Sequence, residues 1–184
     1  MALTKTKPKE LGFKAPDFSL LDPKDNESKT LNLLMGKRGT IVAFICNHCP
    51  YVKHVIEEIN NIAIDYKERG INLIAINSND IENYPEDHPD KMVEWANALG
   101  FQFPYLFDEN QEVAKAYDAV CTPEFSLFDE ELKCVYRGRL DAASPGNKAP
   151  VNGADLRAAI DSLLSGNKEI PNQIPSMGCN IKWK

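Results

Sequence analysis

Hydrophobic residues along the chain fall into short runs and helical spacings that alternate with one another. Residues 40–45, TIVAFI, and residues 71–76, INLIAI, are runs of β-branched and apolar side chains, which is the pattern of strands buried on both faces. After Pro50 the apolar positions recur at the i, i+3, i+4, i+7 spacing as far as Tyr66, and Gly70 follows them. The spacing predicts an amphipathic helix between two buried strands.

The second half of the chain continues the alternation of helices and strands. In chain order, the pattern predicts a helix from Pro89 to Gly100, an extended piece over 103–108, a short helix over 112–119, strands over 125–129 and 134–140, and a helix over 153–166. The acidic segment at 79–90, NDIENYPEDHPD, is interpreted as a solvated loop because of its composition.

The order of these elements predicts the fold class. An extended start is followed by strands alternating with helices, then by a β-hairpin and a closing helix, so an α/β protein with a central mixed β-sheet and helices on both faces is expected. A parallel β-α-β start that ends in an antiparallel β-β-α is the thioredoxin arrangement. We predict one thioredoxin-like domain over residues 1–166, with an irregular tail over 167–184 that has two prolines and no periodicity.

Charge and cysteine content narrow the function classes. The formal net charge of −6 argues against nucleic acid or an anionic membrane as a partner, and no stretch approaches the roughly 18 apolar residues of a membrane span. The start, MALTKTKPKELGFK, lacks the apolar stretch of a signal peptide. We therefore expect a cytoplasmic protein.

The chain has five cysteines, which is an odd number. In a reducing compartment such cysteines are more often catalytic, metal-binding or buried than disulfide-bonded.

The dipeptide Cys49-Pro50 indicates where a reactive thiol is placed. Proline suits the first position of a helix, so Cys49 is predicted to be the N-cap residue, with its sulfur facing the free amides of Tyr51 and Val52. Such amides stabilise a thiolate, and reactive cysteines at helix starts have pKa values of roughly 3.5–7.5, against about 8.5 unperturbed. The alternative register, with Cys46 as the cap, is disfavoured because it would place Pro50 fourth in the helix.

Three segments resemble a known family. They are LGFKAPDFSLLD near the start, VAFICNHCPYV at the first strand and helix, and CTPEFSLFD before the hairpin. Over roughly residues 11–165 the chain resembles the thioredoxin superfamily, in particular its peroxiredoxin-like branch, which is related to alkyl hydroperoxide reductase and thiol-specific antioxidant proteins. The resemblance implies an N-terminal extension of the peroxiredoxin type and a cis-proline at Pro123 facing the active thiol. It also implies that Thr122 presents its backbone to a bound substrate.

The chain also departs from the motifs of this superfamily. Counting forward from Cys49, Val52 stands where thioredoxins have their second cysteine. Counting back, Val42 and Cys46 stand where peroxiredoxins have proline and threonine. Instead, Cys46 forms a C-x-x-C with Cys49, and Cys121 lies two residues before Pro123. We predict that Cys46 or Cys121 resolves a mixed disulfide or a sulfenic acid formed at Cys49.

The leading functional hypothesis is a thiol oxidoreductase without a cofactor. The Cys49 thiolate attacks a disulfide or a peroxide, and an external thioredoxin-like reductant restores the dithiol. The absent threonine favours disulfide exchange. His48 either stabilises the thiolate, relays a proton or is an exposed turn residue. Cys134 is expected to be simply buried, Cys179 receives no role, and the oligomeric state stays open, a homodimer included.

Two other functional hypotheses compete with it. One is a thioredoxin-fold metal-handling protein, for copper above all, that uses Cys46, Cys49 and either His48 or His54 as soft ligands. The Pro50 helix start directs those two histidines apart, which argues against this site. The other is a redox-inert binding domain, since a fold alone does not establish an activity.

Overall fold

A computed structural model describes residues 3–167 and 173–184 of the chain. The strands are β1 (Leu3–Lys5), β2 (Ser19–Asp22), β3 (Glu27–Thr30), β4 (Gly39–Phe44), β5 (Ile71–Asn77), β6 (Tyr105–Phe107), β7 (Cys121–Thr122), β8 (Glu124–Asp129), β9 (Cys134–Gly138) and β10 (Met177–Asn180). The helices are α1 (Leu31–Leu34), α2 (Pro50–Lys67), α3 (Pro89–Leu99), α4 (Glu112–Ala116) and α5 (Ala154–Leu164). The helices and strands predicted from residue 40 to residue 166 are thus present, with ends shifted by up to a few residues.

The larger sheet of the described chain is mixed and has the strand order β3-β2-β6-β5-β4-β8-β9. Strand β4 lies at its centre, parallel to β5 and antiparallel to β8, and β5 is parallel to β6. The parallel β-α-β start and the antiparallel β8–β9 pair followed by α5 confirm the predicted thioredoxin-like fold.

The two faces of this sheet are buried by different helices. Along β4, Ile41 and Ala43 face a core that includes the apolar sides of α2 and α5, whereas Val42 and Phe44 face a core that includes α4. Successive side chains of a strand point to opposite faces of the sheet, and both faces are covered here. The run TIVAFI is therefore buried along its whole length. Helices therefore cover both faces, as expected. No helix in the described ranges combines the length and the apolar character needed to cross a membrane.

The terminal segments contain more structure than their sequence pattern indicates. β2 and β3 form an antiparallel hairpin at one edge of the larger sheet. The prediction of an irregular tail was wrong for Met177–Asn180, which form β10 in a second sheet of order β1-β10-β7. Residues 168–172 of that predicted tail lie outside the described residues.

One glycine makes this second sheet possible. A Cβ atom on Gly178 would collide with the carbonyl group of Thr122, so β10 approaches β7 this closely only because residue 178 has no side chain. The pairing sets Cys179 opposite Thr122 on one side and opposite Leu3 on the other. The carboxyl-terminal strand is thereby brought to the start of α2.

Candidate active site

Cys49 lies where the chain leaves central strand β4 and enters helix α2. It is the N-cap residue of α2, and Pro50 is the first helical residue, as the sequence predicted. This position is at the carboxyl end of a central parallel strand, the edge at which open α/β sheets place their functional clefts. The Cys49 side chain is 0% exposed, so its chemistry is decided by a small number of neighbouring groups.

Three thiols meet beside the peptide bond between Thr122 and Pro123. The Sγ atom of Cys49 lies 2.8 Å from the Sγ atom of Cys179 and 3.2 Å from the carbonyl oxygen of Thr122. The Sγ atom of Cys46 lies 3.4 Å from the Thr122 hydroxyl. The peptide bond is cis, which confirms the conformation that the family resemblance implied for Pro123.

The pKa of Cys49 is lowered to about 5, chiefly because the Cys46 thiol donates a hydrogen bond to its sulfur. Burial opposes this shift, whereas the Cys179 thiol, the Thr122 hydroxyl and the Val52 amide support it. The Thr122 carbonyl oxygen accepts a hydrogen bond only from the protonated thiol, so this one contact favours the neutral form. The donors outweigh it, and Cys49 is the thiolate of the cluster.

The other two thiols have pKa values shifted in the opposite direction. The pKa of Cys46 is raised well above its usual value by its hydrogen bond to Cys49, by burial and by the charge of Asp87. The pKa of Cys179 is raised to about 12, first by burial and then by its contact with Cys49. The shifts therefore place one negative charge in the cluster, on Cys49, with Cys46 and Cys179 as neutral thiols.

The helix amides divide between two sulfur atoms, which differs from the prediction. Cys49 makes no side-chain capping hydrogen bond to the helix. The Val52 amide is among the groups that lower the pKa of Cys49, and the Tyr51 amide is among those that lower the pKa of Cys179. From the sequence we assigned both amides to Cys49. The pairing of β10 with β7 brings Cys179 to the start of α2, and no pattern in the sequence near Cys179 predicts that pairing.

Cys121 has different neighbours from the other candidates. Its Sγ atom lies 3.5 Å from Oε2 of Glu124 and 3.8 Å from the hydroxyl of Thr6. Alternate residues of a strand point to opposite faces, so the side chain of Thr122 turns toward Cys46 while that of Cys121 turns away. Burial and the charge of Glu124 raise the pKa of Cys121. The geometry therefore favours Cys46 and Cys179 over Cys121 as partners of Cys49.

Cys134 is the buried residue that the sequence predicted. It is 1% exposed, its thiol donates to the carbonyl oxygen of Tyr136 at 3.4 Å, and burial raises its pKa to about 12. It is thus a suitable control for substitutions at the cluster of Cys46, Cys49 and Cys179.

A buried carboxylate fixes the turn between Cys46 and Cys49. The prediction of a solvated acidic loop was wrong for Asp87, which ends a 3₁₀ turn and is 0% exposed. Its Oδ1 atom accepts hydrogen bonds from the amides of Asn47 at 2.7 Å and His48 at 3.3 Å. Its Oδ2 atom accepts one from the side chain of Asn79 at 2.8 Å and lies 2.6 Å from Nδ1 of His48. Only Asp87, among the acidic residues of that loop, holds the cysteine turn in this way within the described chain.

His48 is held by its neighbours rather than exposed in the turn. Besides the contact with Asp87, its ring stacks on that of Tyr84, with centroids 5.4 Å apart. The ligand atoms of Cys46, His48 and Asp87 lie within 4.8 Å of one another, a spacing that suits a metal ion. This set differs from the predicted one, since it contains Asp87 and neither Cys49 nor His54, and His54 is exposed on α2.

Comparisons with known proteins give three kinds of match. A model of the AhpC/TSA family matches residues 11–137. A crystal structure of an uncharacterized conserved protein from Geobacillus kaustophilus is 50% identical, with a TM-score of 0.97 over 100% of this chain and 97% of that chain. Thiol-disulfide oxidoreductase ResA of the same species is 29% identical over 133 residues, 71% of each chain. A Mycobacterium tuberculosis protein provisionally named a peroxiredoxin is 29% identical over 164 residues, 84% of this chain and 97% of that protein.

Proposed function

This chain belongs to the AhpC/TSA family, and we propose that it acts as a thiol-dependent oxidoreductase whose nucleophile is Cys49. The observation that carries the proposal is the position of Cys49 as the N-cap residue of α2, beside the cis Thr122–Pro123 peptide and 2.8 Å from the Cys179 sulfur, a setting that lowers its pKa to about 5. At neutral pH a thiol with that pKa is about 99% ionised, whereas an unperturbed cysteine is a few per cent ionised.

The thiolate supports two related first steps. Attack on a disulfide gives a mixed disulfide at Cys49 and releases a thiolate, and attack on a hydroperoxide gives a sulfenic acid and releases an alcohol or water. A second thiol of the chain then displaces the product, and an external thioredoxin-like dithiol restores the reduced protein. Both kinds of substrate are represented in the names of the relatives, a thiol-disulfide oxidoreductase and a peroxiredoxin.

The shape of the site favours small substrates. Because Cys49 is 0% exposed, a hydroperoxide or a small disulfide reaches its sulfur more readily than the disulfide of a folded protein does. Cys46 occupies the position at which peroxiredoxins have a threonine, but the hydroxyl of Thr122 lies 3.4 Å from the Cys46 sulfur and also lowers the pKa of Cys49. We infer that Thr122 provides from β7 the hydroxyl that the motif lacks.

A cytoplasmic location is part of the same proposal. It is supported by the odd number of cysteines, five, and by their proposed role as reactive thiols, because a reducing compartment keeps such thiols reduced. Fractionation of cells that produce the chain, followed by immunodetection in each fraction, checks it. Recovery in an oxidising compartment would contradict it.

The pH dependence of alkylation tests the proposed nucleophile. We expect the rate of carbamidomethylation of Cys49 by iodoacetamide to rise with a midpoint near pH 5 in the folded protein, and near pH 8.5 in urea-denatured protein. Cys46 and Cys49 share one tryptic peptide, so the site is assigned by fragmentation of that peptide in a mass spectrometer. A folded-state midpoint near 8.5 would contradict the proposal and favour a redox-inert domain.

A second function, metal binding, is favoured by the closeness of Cys46, His48 and Asp87. We nevertheless expect reductively purified protein, incubated with zinc or copper(I) and desalted, to retain less than about a tenth of an equivalent of metal. The reason is that the set offers three ligand atoms, and one of them is the sulfur of Cys46, whose pKa is raised well above its usual value, whereas a metal ion binds the deprotonated thiolate. Retention of a full equivalent, lost on His48→Gln, would establish a metal site instead.

A further inference from the structure

We propose that Cys179, on the carboxyl-terminal strand β10, is the resolving cysteine that forms a disulfide with oxidised Cys49. The assignment rests on the proposed function, because it needs Cys49 to be oxidised by a hydroperoxide or a disulfide. Cys49 and Cys179 are 130 positions apart in the chain, and the fold brings their sulfur atoms to 2.8 Å.

The position of Cys179 is built into the backbone. Strand β10 is paired on both sides, with β7 and with β1, and the contact with β7 depends on Gly178. Beyond the strand, the carbonyl oxygen of Lys182 accepts hydrogen bonds from the amide of Asp80 at 2.8 Å and from the side chain of Gln111 at 2.7 Å. The pairing along both edges of β10 and the hydrogen bonds to Lys182 after the strand therefore hold Cys179 against the start of α2.

A change in charge at Cys49 prepares Cys179 to react. While Cys49 is a thiolate, its charge and its hydrogen bond help to keep Cys179 protonated, as a donor. Conversion of Cys49 to a sulfenic acid or a mixed disulfide removes that negative charge. The Tyr51 amide and the charge of Lys182, both of which lower the pKa of Cys179, stay in place. Oxidation of Cys49 therefore removes two of the causes that raise the pKa of Cys179, its contact with the thiolate and the thiolate charge, while burial remains. What makes Cys179 the attacking group is the position of its sulfur, 2.8 Å from that of Cys49.

The reaction balances for either oxidant. With a hydroperoxide, the Cys179 thiol attacks the sulfur of the Cys49 sulfenic acid, the S–S bond forms, and the hydroxyl leaves with the thiol proton as water. With a disulfide substrate, Cys179 attacks the Cys49 sulfur of the mixed disulfide, and the second half of the substrate leaves as a thiol with that proton. An external dithiol then reduces the Cys49–Cys179 disulfide and becomes a disulfide itself.

Cys46 is the competing partner and has a less suitable environment. Oxidation of Cys49 removes the largest cause of the raised pKa of Cys46, its hydrogen bond to Cys49, but burial and the charge of Asp87 remain. Cys179 has no such carboxylate among the causes that raise its pKa, and Lys182 lowers that pKa. Its sulfur is also in contact with the Thr122 hydroxyl at 3.4 Å. We assign Cys46 the role of hydrogen-bond donor to the Cys49 thiolate, and Cys179 that of resolving thiol.

Disulfide mapping of the full chain tests the assignment. Reduced protein is treated with one equivalent of hydrogen peroxide, blocked with iodoacetamide and digested, and the linked peptides are identified by mass spectrometry. We expect a Cys49–Cys179 link in the wild type, in Cys46→Ser and in the control Cys134→Ser. In Cys179→Ser we expect a Cys49 sulfenic acid that dimedone traps, and an unchanged first-turnover yield. With a thioredoxin and its reductase as the reductant, we expect a steady-state rate at least about tenfold lower than that of the wild type.

Two results would overturn the assignment, and they differ from failure of the proposed function. A Cys46–Cys49 or Cys49–Cys121 link in the wild type, with full turnover in Cys179→Ser, would overturn the role of Cys179 and leave Cys49 as the nucleophile. The absence of any oxidised Cys49 in the wild type would overturn both proposals. Mapping of the wild type does not depend on whether a variant folds.

Discussion

Replacing Cys49 with serine is expected to lower kcat/KM for hydrogen peroxide and for small disulfides by at least about a thousandfold. A serine hydroxyl is not ionised at neutral pH, so the Cys46 and Cys179 thiols and the Val52 amide would have no anion to stabilise. Serine is only slightly smaller than cysteine, so we expect the variant to keep the fold. The measurements are peroxide consumption with dithiothreitol as reductant and release of the coloured thiol from an aromatic disulfide.

The matched control for that substitution is Cys134→Ser. Cys134 is also buried, at 1% exposure, and a serine hydroxyl can keep its hydrogen bond to the carbonyl oxygen of Tyr136. We expect this variant to retain wild-type activity within about twofold, because the substitution slightly changes a buried volume and leaves Cys46, Cys49 and Cys179 unchanged. Turnover by Cys49→Ser within about tenfold of the wild type would contradict Cys49 as nucleophile.

The part of the site that the sequence predicted depends on local stereochemistry. Proline has a fixed φ and no N–H, so Pro50 had to begin α2 and Cys49 had to cap it. The strands that flank α2 were evident from their β-branched composition, and an alternating order of such elements restricts the topology. These features place one cysteine at the helix start without reference to any distant residue.

The partners of Cys49 depend on contacts between distant parts of the chain. Cys179 lies in a strand of four residues, MGCN, which has no hydrophobic alternation and pairs only because Gly178 fits against Thr122. Asp87 reaches the amide of Asn47 across 40 positions. Neither residue type nor spacing distinguishes Asp87 from the acidic residues around it. The available signals were weak: an unassigned cysteine near the carboxyl terminus, and two prolines, Pro85 and Pro89, that bracket one aspartate.

Replacing Asp87 with alanine is expected to lower the free energy of unfolding by about 3–5 kcal/mol, measured by urea unfolding of the reduced protein. The loss would leave the amide of Asn47, the Asn79 side chain and Nδ1 of His48 without the acceptor that now binds them. The same change should reduce turnover, because the turn that carries Cys46 to Cys49 would no longer be fixed.

Asp90→Ala is the matched control, since Asp90 lies three positions further along the same segment and its side chain is 85% exposed. Its substitution should change the free energy of unfolding by less than about 0.5 kcal/mol.

Asp87→Asn separates charge from shape, because the amide keeps one oxygen for the backbone amides of Asn47 and His48 but presents hydrogen atoms to the other donors. We expect its stability to fall between those of the wild type and Asp87→Ala. A loss below about 1 kcal/mol for Asp87→Ala would show that the turn is held by packing and not by the buried carboxylate.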